Sequence, residues 1–204
     1  MEMMAAPFWK EILPGVIRWS GYSPKHKVEL TSHAVLLGGK IYCFDPIALA
    51  HDAVQRLTER GRPAAIILTS DNHERDALLW SEIWQVPVWA SREAVLLLPG
   101  VRRFPPGAVD WNGWRLHQLE GGAGGELAFR AGSLVVMGDP IVNLPGHALE
   151  LLPPKYCRSQ GELRRSLAEV VREPFENLFV AHGDPVLGGA SEKIAELLQS
   201  PRHG

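Results

Sequence analysis

Residues 32–46 read SHAVLLGGKIYCFDP, and the Gly38-Gly39 pair at their centre is the strongest turn signal in the chain. Two apolar runs, residues 28–37 and 40–44, flank that pair, which is the pattern of a β-hairpin closed by glycines. Beyond the second run, Asp45-Pro46 offers a helix cap and a first-turn proline. Ile47, Ala50, Val54 and Leu57 follow at helical spacing, and Gly61 closes the segment. Residues 64–68 are a short apolar run suited to a buried strand. Upstream, residues 8–22 hold two short strands around Pro14-Gly15.

Further along, the polar loop TSDNHERD, residues 69–76, leads into a helix whose apolar positions are Leu78, Leu79 and Ile83. A strand over residues 86–90 follows. Ser91 is placed to cap a short helix ending at Pro99-Gly100, and residues 99–113 are irregular. Three strands are expected at 114–119, 127–130 and 134–137, the first two separated by the run GGAGG, residues 121–125. That run is no phosphate loop, because no Lys-Ser or Lys-Thr follows it; it reads as a turn or a flexible lip. After an irregular stretch, Ser159 and Glu162 form a capping box for a helix carrying Leu163, Leu167, Val170 and Val171. A buried strand at 177–180 and a last helix, capped by Ser191 and carrying Ile194, Leu197 and Leu198, complete the chain. Early and late strand clusters with helices between them imply two mixed sheets with helices outside, in one domain over residues 1–204. Trp80, Trp84 and Trp89 fit core or helix packing better than a ligand cage.

Composition sets bounds on partners. The 21 Lys and Arg against 23 Asp and Glu give a net charge of −2, without the basic excess of a general nucleic-acid binder. Apolar stretches such as residues 94–98 are too short to span a bilayer. The start, MEMMAAPFWKEILPG, lacks the basic residues and apolar run of a signal peptide, so the expected location is cytoplasmic. Cys43 and Cys157 lie far apart with no Cys-x-x-Cys pair, and Cys43 reads as a small core residue.

Three polar turns follow buried-strand patterns: Asp71-Asn72-His73-Glu74-Arg75-Asp76, Gly138-Asp139, and Ala181-His182-Gly183-Asp184. Sheets bring such strand ends side by side, and ligands gather there. His and Asp are also the residue types that hold Zn, Fe or Mn. Each has a plainer alternative. A loop histidine can serve the backbone, an Asp before Pro commonly starts a turn, and Asp71 or Asp76 can favour a helix N-terminus.

Taken in order, the SHAVLL–GGKIYCFDP hairpin, IILTSDNHERDALLW, VVMGDP and FVAHGDP resemble the metallo-β-lactamase-fold hydrolases over roughly residues 10–198. The resemblance implies a four-layer αββα sandwich of two mixed β-sheets with a metal site at a shared sheet edge. The family's motif is His-x-His-x-Asp-His. Aligned through His73, this chain reads Asp71-x-His73-x-Arg75-Asp76, and Arg75 is a cation that cannot ligate a metal. The family's Pro-Gly-His-Thr turn corresponds to Glu120-Gly121-Gly122-Ala123, with Gly122 near the histidine's place. The bridging aspartate matches Asp139, and the last histidine matches His182.

What the resemblance implies is therefore an eroded site. His73, Asp139 and His182 are the implied metal ligands, for at most one divalent ion (Zn, Mn or Fe), or for none. Asp71 or Asp76 would be the general base, Arg75 would steady an anionic transition state, and His147 would line the pocket for substrate. The implied function is a metal-dependent hydrolase acting on an ester or amide-like bond of an unknown small molecule. The alternative is a non-catalytic protein that keeps the fold and binds a small molecule or partner without metal. Neither nucleic acid nor membrane is an expected partner.

Overall fold

The computed structural model describes residues 6, 8–96, 98–105 and 110–200. Residues 1–5 and 7 of the N-terminal segment considered as a leader lie outside the described residues. So do one position of the expected helix after Ser91 and four of the irregular stretch before residue 110. The chain divides into two compact units, Met1–Pro105 and Pro106–Gly204.

In the first unit β1 (Lys10–Leu13), β2 (Val16–Ser23), β3 (Val28–Leu37) and β4 (Lys40–Phe44) form an antiparallel meander. The hairpin falls where the glycines require it. Leu37 pairs with Lys40, and Gly38 and Gly39 have φ of 58° and 74°, both in the left-handed region that a two-residue hairpin turn needs. Helix α1 (His51–Thr58) leads to β5 (Arg62–Ile67), α2 (Ala77–Trp84), β6 (Val88–Ala90) and β7 (Arg102–Arg103). Strands β4 to β7 run parallel, so the seven-stranded sheet is mixed and follows chain order. Ile17, Ile41, Cys43, Ile66 and Leu68 are fully buried with Ala53, Leu57 and Trp80 of the two helices in one apolar cluster. Burial of this kind, at about 25 cal/mol per Å² of apolar surface, holds the helices to the sheet.

The second unit contains β8 (Asp110–Trp111), β9 (Trp114–Leu119), β10 (Glu126–Ala131) and β11 (Leu134–Met137). A two-stranded ladder of β12 (Ile141–Val142) and β13 (Glu150–Leu151) follows. Helix α3 (Gln160–Val170), β14 (Asn177–Val180), β15 (Val186–Leu187) and α4 (Ala190–Gln199) complete it. The six-stranded sheet runs β15-β14-β11-β10-β9-β8, antiparallel except where β11 meets β14. Leu163, Leu167 and Ile194 of α3 and α4 are buried with Val135, Met137, Leu178 and Val180 of the sheet. The N-cap of α3 is as the sequence predicts, with Ser159 Oγ accepting from the Glu162 N–H at 3.3 Å.

Four local expectations change. Helix α1 begins at His51 rather than at Asp45, because Asp45 is turned inward at φ 47° and its carboxylate is used elsewhere. Helix α2 buries Ala77, Trp80 and Trp84, while Leu79 and Ile83 are 45% and 49% exposed. The indoles win that face because each finds an acceptor: Trp80 Nε1 donates to the Ile47 carbonyl and Trp84 Nε1 to Thr58 Oγ1, both at 3.0 Å. Ser91 accepts from the Glu93 N–H at 3.3 Å, yet no helix forms over the described residues that follow it. Gly189, not Ser191, caps α4; the Ser191 hydroxyl accepts instead from the Phe175 N–H at 3.1 Å. No helix of the described residues is long and apolar enough to cross a membrane.

Candidate metal centre

In the first unit, a polar network is built on the segment joining β4 to α1. Ser32 Oγ donates to the Asp45 carbonyl at 2.7 Å and accepts from the Ile47 N–H at 2.9 Å. Trp19 Nε1 and Trp80 Nε1 both donate to the Ile47 carbonyl at 3.0 Å. Asp76 Oδ2 accepts from the Ala48 N–H at 2.6 Å, and the Asp76 N–H returns to the Pro46 carbonyl at 3.1 Å. These bonds over-determine the segment, which is how Asp45 is kept in a left-handed conformation costing on the order of 1 kcal/mol.

Held this way, Asp45 meets the loop after β5. Its Oδ1 accepts from the Thr69 N–H at 2.8 Å, and its Oδ2 accepts from Thr69 Oγ1 at 2.5 Å. The same Oδ2 lies 3.0 Å from His73 Nδ1, and all three residues are buried. Thr69 Oγ1 is also 3.1 Å from Nδ1, but its one proton is given to Asp45, so Nδ1 is the donor. A neutral His73 therefore carries its proton on Nδ1 and its lone pair on Nε2, the nitrogen a metal takes. Burial alone would raise the Asp45 pKa. The charge and hydrogen bond of His73, then Arg75 and Thr69, outweigh it and hold the carboxyl below its usual value.

Arg75, also in a left-handed conformation at φ 39°, donates from Nη1 to the Thr31 carbonyl at 2.7 Å and to the Asp45 carbonyl at 2.8 Å. It stiffens the β3–β4 framework and brings positive charge to the Asp45 carboxylate. Asp76 spends one oxygen on Ala48 and acts as a clamp on the chain. Asp71 is half-buried in the turn before His73.

Two further buried groups surround Asp45. His33 on β3 is fully buried, and burial above all, reinforced by the charges of Arg18 and Arg75 and opposed by Asp45, pushes its pKa down to about 3. It is a neutral imidazole at ordinary pH. Cys43 is held well above the usual thiol range by burial and then by the Asp45 charge, so it stays protonated and inert.

In the second unit Asp139 and His182 follow β11 and β14, the parallel neighbours of the sheet. Asp139 Oδ1 lies 3.2 Å from His182 Nε2, and both are half-buried. The His182 carbonyl accepts from the Asn143 N–H at 3.1 Å, and the Asp184 N–H donates to the Asn143 carbonyl at 2.8 Å. Gly183 between them has φ 95°, and a Cβ there would fall 1.9 Å from the Asn143 carbonyl oxygen. Only glycine lets the turn close on Asn143 and set His182 beside Asp139. His147 is exposed, in a turn where its N–H donates to the Leu144 carbonyl at 3.0 Å.

Asp45 and Thr69 are not among the residues expected from the motif. The available signal was an acid directly after the apolar run KIYCF, where a strand end rather than a helix cap sets its surroundings. His73 in the first unit, and Asp139 and His182 in the second, each carry a donor type that Zn, Mn or Fe(II) accepts. Arg75 is a cation and Gly122 has no side chain, so neither brings a ligand atom.

Solved structures similar to this chain include metallo-β-lactamases. The DIM-1 metallo-β-lactamase superposes with a TM-score of 0.71 at 10% identity, over 97% of this chain and 99% of that one. A metallo-β-lactamase from Erythrobacter litoralis gives 0.66 at 13% identity, over 97% and 95%. A β-lactamase domain protein from Burkholderia ambifaria gives 0.66 at 17% identity, over 95% of this chain and 76% of that one. No protein-family model and no curated protein sequence matches the chain. The chain has the metallo-β-lactamase fold, an α+β architecture of two mixed sheets with flanking helices, as the hairpin and motif order implied.

Proposed function

We propose that this protein is a metal-dependent hydrolase in which His73, Asp139 and His182 hold a single divalent cation. The observation that carries the reading is the Asp45–Thr69–His73 network. A buried carboxylate that fixes an imidazole proton on Nδ1 is the arrangement that orients a metal-ligating histidine, and it gives Nε2 to the ion. The fold and the matching positions of the other two donors support it. When bound, the cation would supply Lewis acidity that lowers the pKa of a water toward neutrality, the chemistry needed for hydrolysis of an ester or amide-like bond. This chain's residues do the rest. Asp45 and Thr69 set the tautomer of His73, Gly183 and Asn143 set His182, Asp71 is the base that takes a proton from the attacking water, and Arg75 supplies positive charge for a developing anion.

A second reading rests on the 3.2 Å pairing of Asp139 with His182, which satisfies both groups with each other. In it the fold binds a small molecule without metal. Elemental analysis of protein purified without chelators separates the two. Close to one equivalent of Zn, Mn or Fe, lost when His182 is replaced by Ala, supports the hydrolase. Protein free of metal and unable to take up any of the three supports the binding protein.

A further inference from the structure

The GGAGG run between β9 and β10 is a clamped turn, not a flexible lip. Gly121, at φ 83°, lies against the start of α3, where a Cβ would fall 2.3 Å from the Ser159 carbonyl oxygen and 2.5 Å from the Leu163 nitrogen. The Gly121 carbonyl accepts from the Ser159 N–H at 2.9 Å, and the Gly122 carbonyl accepts from the Arg158 N–H at 3.0 Å. Gly122 differs from its neighbour. Its backbone is not left-handed, so nothing in the main chain forbids a side chain there. The space is taken by the end of the Glu126 side chain: a Cβ on residue 122 would lie 1.5 Å from Glu126 Oε2 and 2.6 Å from its Cδ, and would fit only if that carboxylate moved.

Glu126 opens β10 and is only 1% exposed, so its carboxylate is buried in the volume that a side chain at 122 would fill. Position 122 is where the resemblance to the metallo-β-lactamase fold sets a histidine ligand. With the Glu126 carboxylate in this position, residue 122 has room only for glycine. The sheet register extends the point. Ala128 pairs with Met137, and Met137 pairs with Val180. Glu126, two residues before Ala128, and Asp139 and His182, two residues after Met137 and Val180, therefore come level at the same edge of the sheet. The charge of Glu126 is also felt nearby: after burial it is the second cause raising the Cys157 thiol.

We propose that Glu126 replaces the missing imidazole as an oxygen donor to the cation, turning about its own side-chain bonds from above Gly122 toward Asp139 and His182. The proposal rests on the reading that the site holds a cation. It adds a consequence for which cation. Exchanging a nitrogen donor for a carboxylate oxygen moves the site away from Zn and toward Mn(II), because carboxylate suits Mn while imidazole suits Zn.

The test is calorimetric titration of the full chain with Mn(II) and with Zn(II), and Mn(II) spectra by electron paramagnetic resonance. Four proteins are compared: wild type, Glu126→Gln, the exchange Gly122→His with Glu126→Ser, and His182→Ala as a reference. Glu126→Gln is expected to weaken Mn(II) roughly tenfold or more, with a smaller loss for Zn(II). The exchange is expected to turn the preference toward Zn(II). If Glu126→Gln binds Mn(II) as wild type does while His182→Ala does not, Glu126 is no donor and the metal reading stands without it. Wild type that binds neither metal overturns both. Should Glu126→Gln not fold, the exchange decides alone, and an unaltered Mn-to-Zn preference in it overturns the proposal.

Discussion

Asp45 carries more of the first unit's site than any residue of the motif loop. It is buried, its backbone is left-handed, and it binds Thr69 twice and His73 once. Replacing it by Asn keeps the shape but removes the charge that holds the Nδ1 proton. Asp45→Asn is expected to weaken metal binding 10- to 100-fold, as loss of such an outer partner does, with isothermal titration as the measure. Unchanged affinity would mean the network is structural only. His33, a neighbour on the sheet, gives a second expectation. Its folded pKa of about 3 lies below the ordinary 6.5, so the folded state resists protonation. Its contribution to stability is complete above pH 6.5 and is lost as pH falls from there toward 3. At about 1.4 kcal/mol per pH unit, roughly 2 kcal/mol disappears between pH 6.5 and 5. Urea midpoints at the two pH values, in wild type and in His33→Phe, measure this; a loss that persists in the variant arises elsewhere. The placement of Asp139 and His182 just after β11 and β14 was legible because apolar runs ending in polar turns mark strand ends in the chain. Asp45 was not, because it acts on His73 across a loop closure 28 residues long, and nothing local marks the contact.

At the scale of elements, the hairpin β3–β4 was readable to the residue, since two successive left-handed glycines admit one turn and so one register. Strands β9, β11 and β14 followed from short apolar runs between turn residues. The orientation of α2 did not. Its segment ALLWSEIW is apolar nearly all round, so periodicity could not choose between the leucine face and the tryptophan face. The choice depends on acceptors outside the helix, at Ile47 and Thr58. This makes a sharp contrast. Trp80→Ala should destabilise by about 3–5 kcal/mol, because a fully buried indole is lost together with one of the two bonds that pin the Ile47 carbonyl. Leu79→Ala, one residue earlier on the exposed face, should change stability by no more than about 0.5 kcal/mol. Urea denaturation of both variants checks the assignment, and equal losses would show that the helix is rotated from the face described.

At the scale of the whole molecule, the expected cation couples site to stability, because it binds only the folded chain. Metal at a hundredfold over its dissociation constant adds about 2.7 kcal/mol. For a chain of this size, at roughly 2–4 °C per kcal/mol, the melting midpoint should rise by several degrees with Zn, Mn or Fe(II). The choice of variant matters here. His73 is 3% exposed and partners a buried carboxylate, so His73→Ala strands the Asp45 charge and lowers the metal-free midpoint by itself, at a cost of about 3–5 kcal/mol for a broken buried pair. His182 is the cleaner probe. It is half-buried, and its turn is held through backbone bonds to Asn143 and by Gly183, none of which needs the imidazole. His182→Ala should therefore keep a metal-free midpoint close to that of wild type and lose the metal-induced rise entirely. Scanning calorimetry at neutral pH, with and without millimolar metal, gives both quantities in one experiment. Traces of wild type that overlay with and without each metal would favour the metal-free binding protein. A rise that survives in His182→Ala would locate the ion away from Asp139 and His182, and the proposed centre would be wrong.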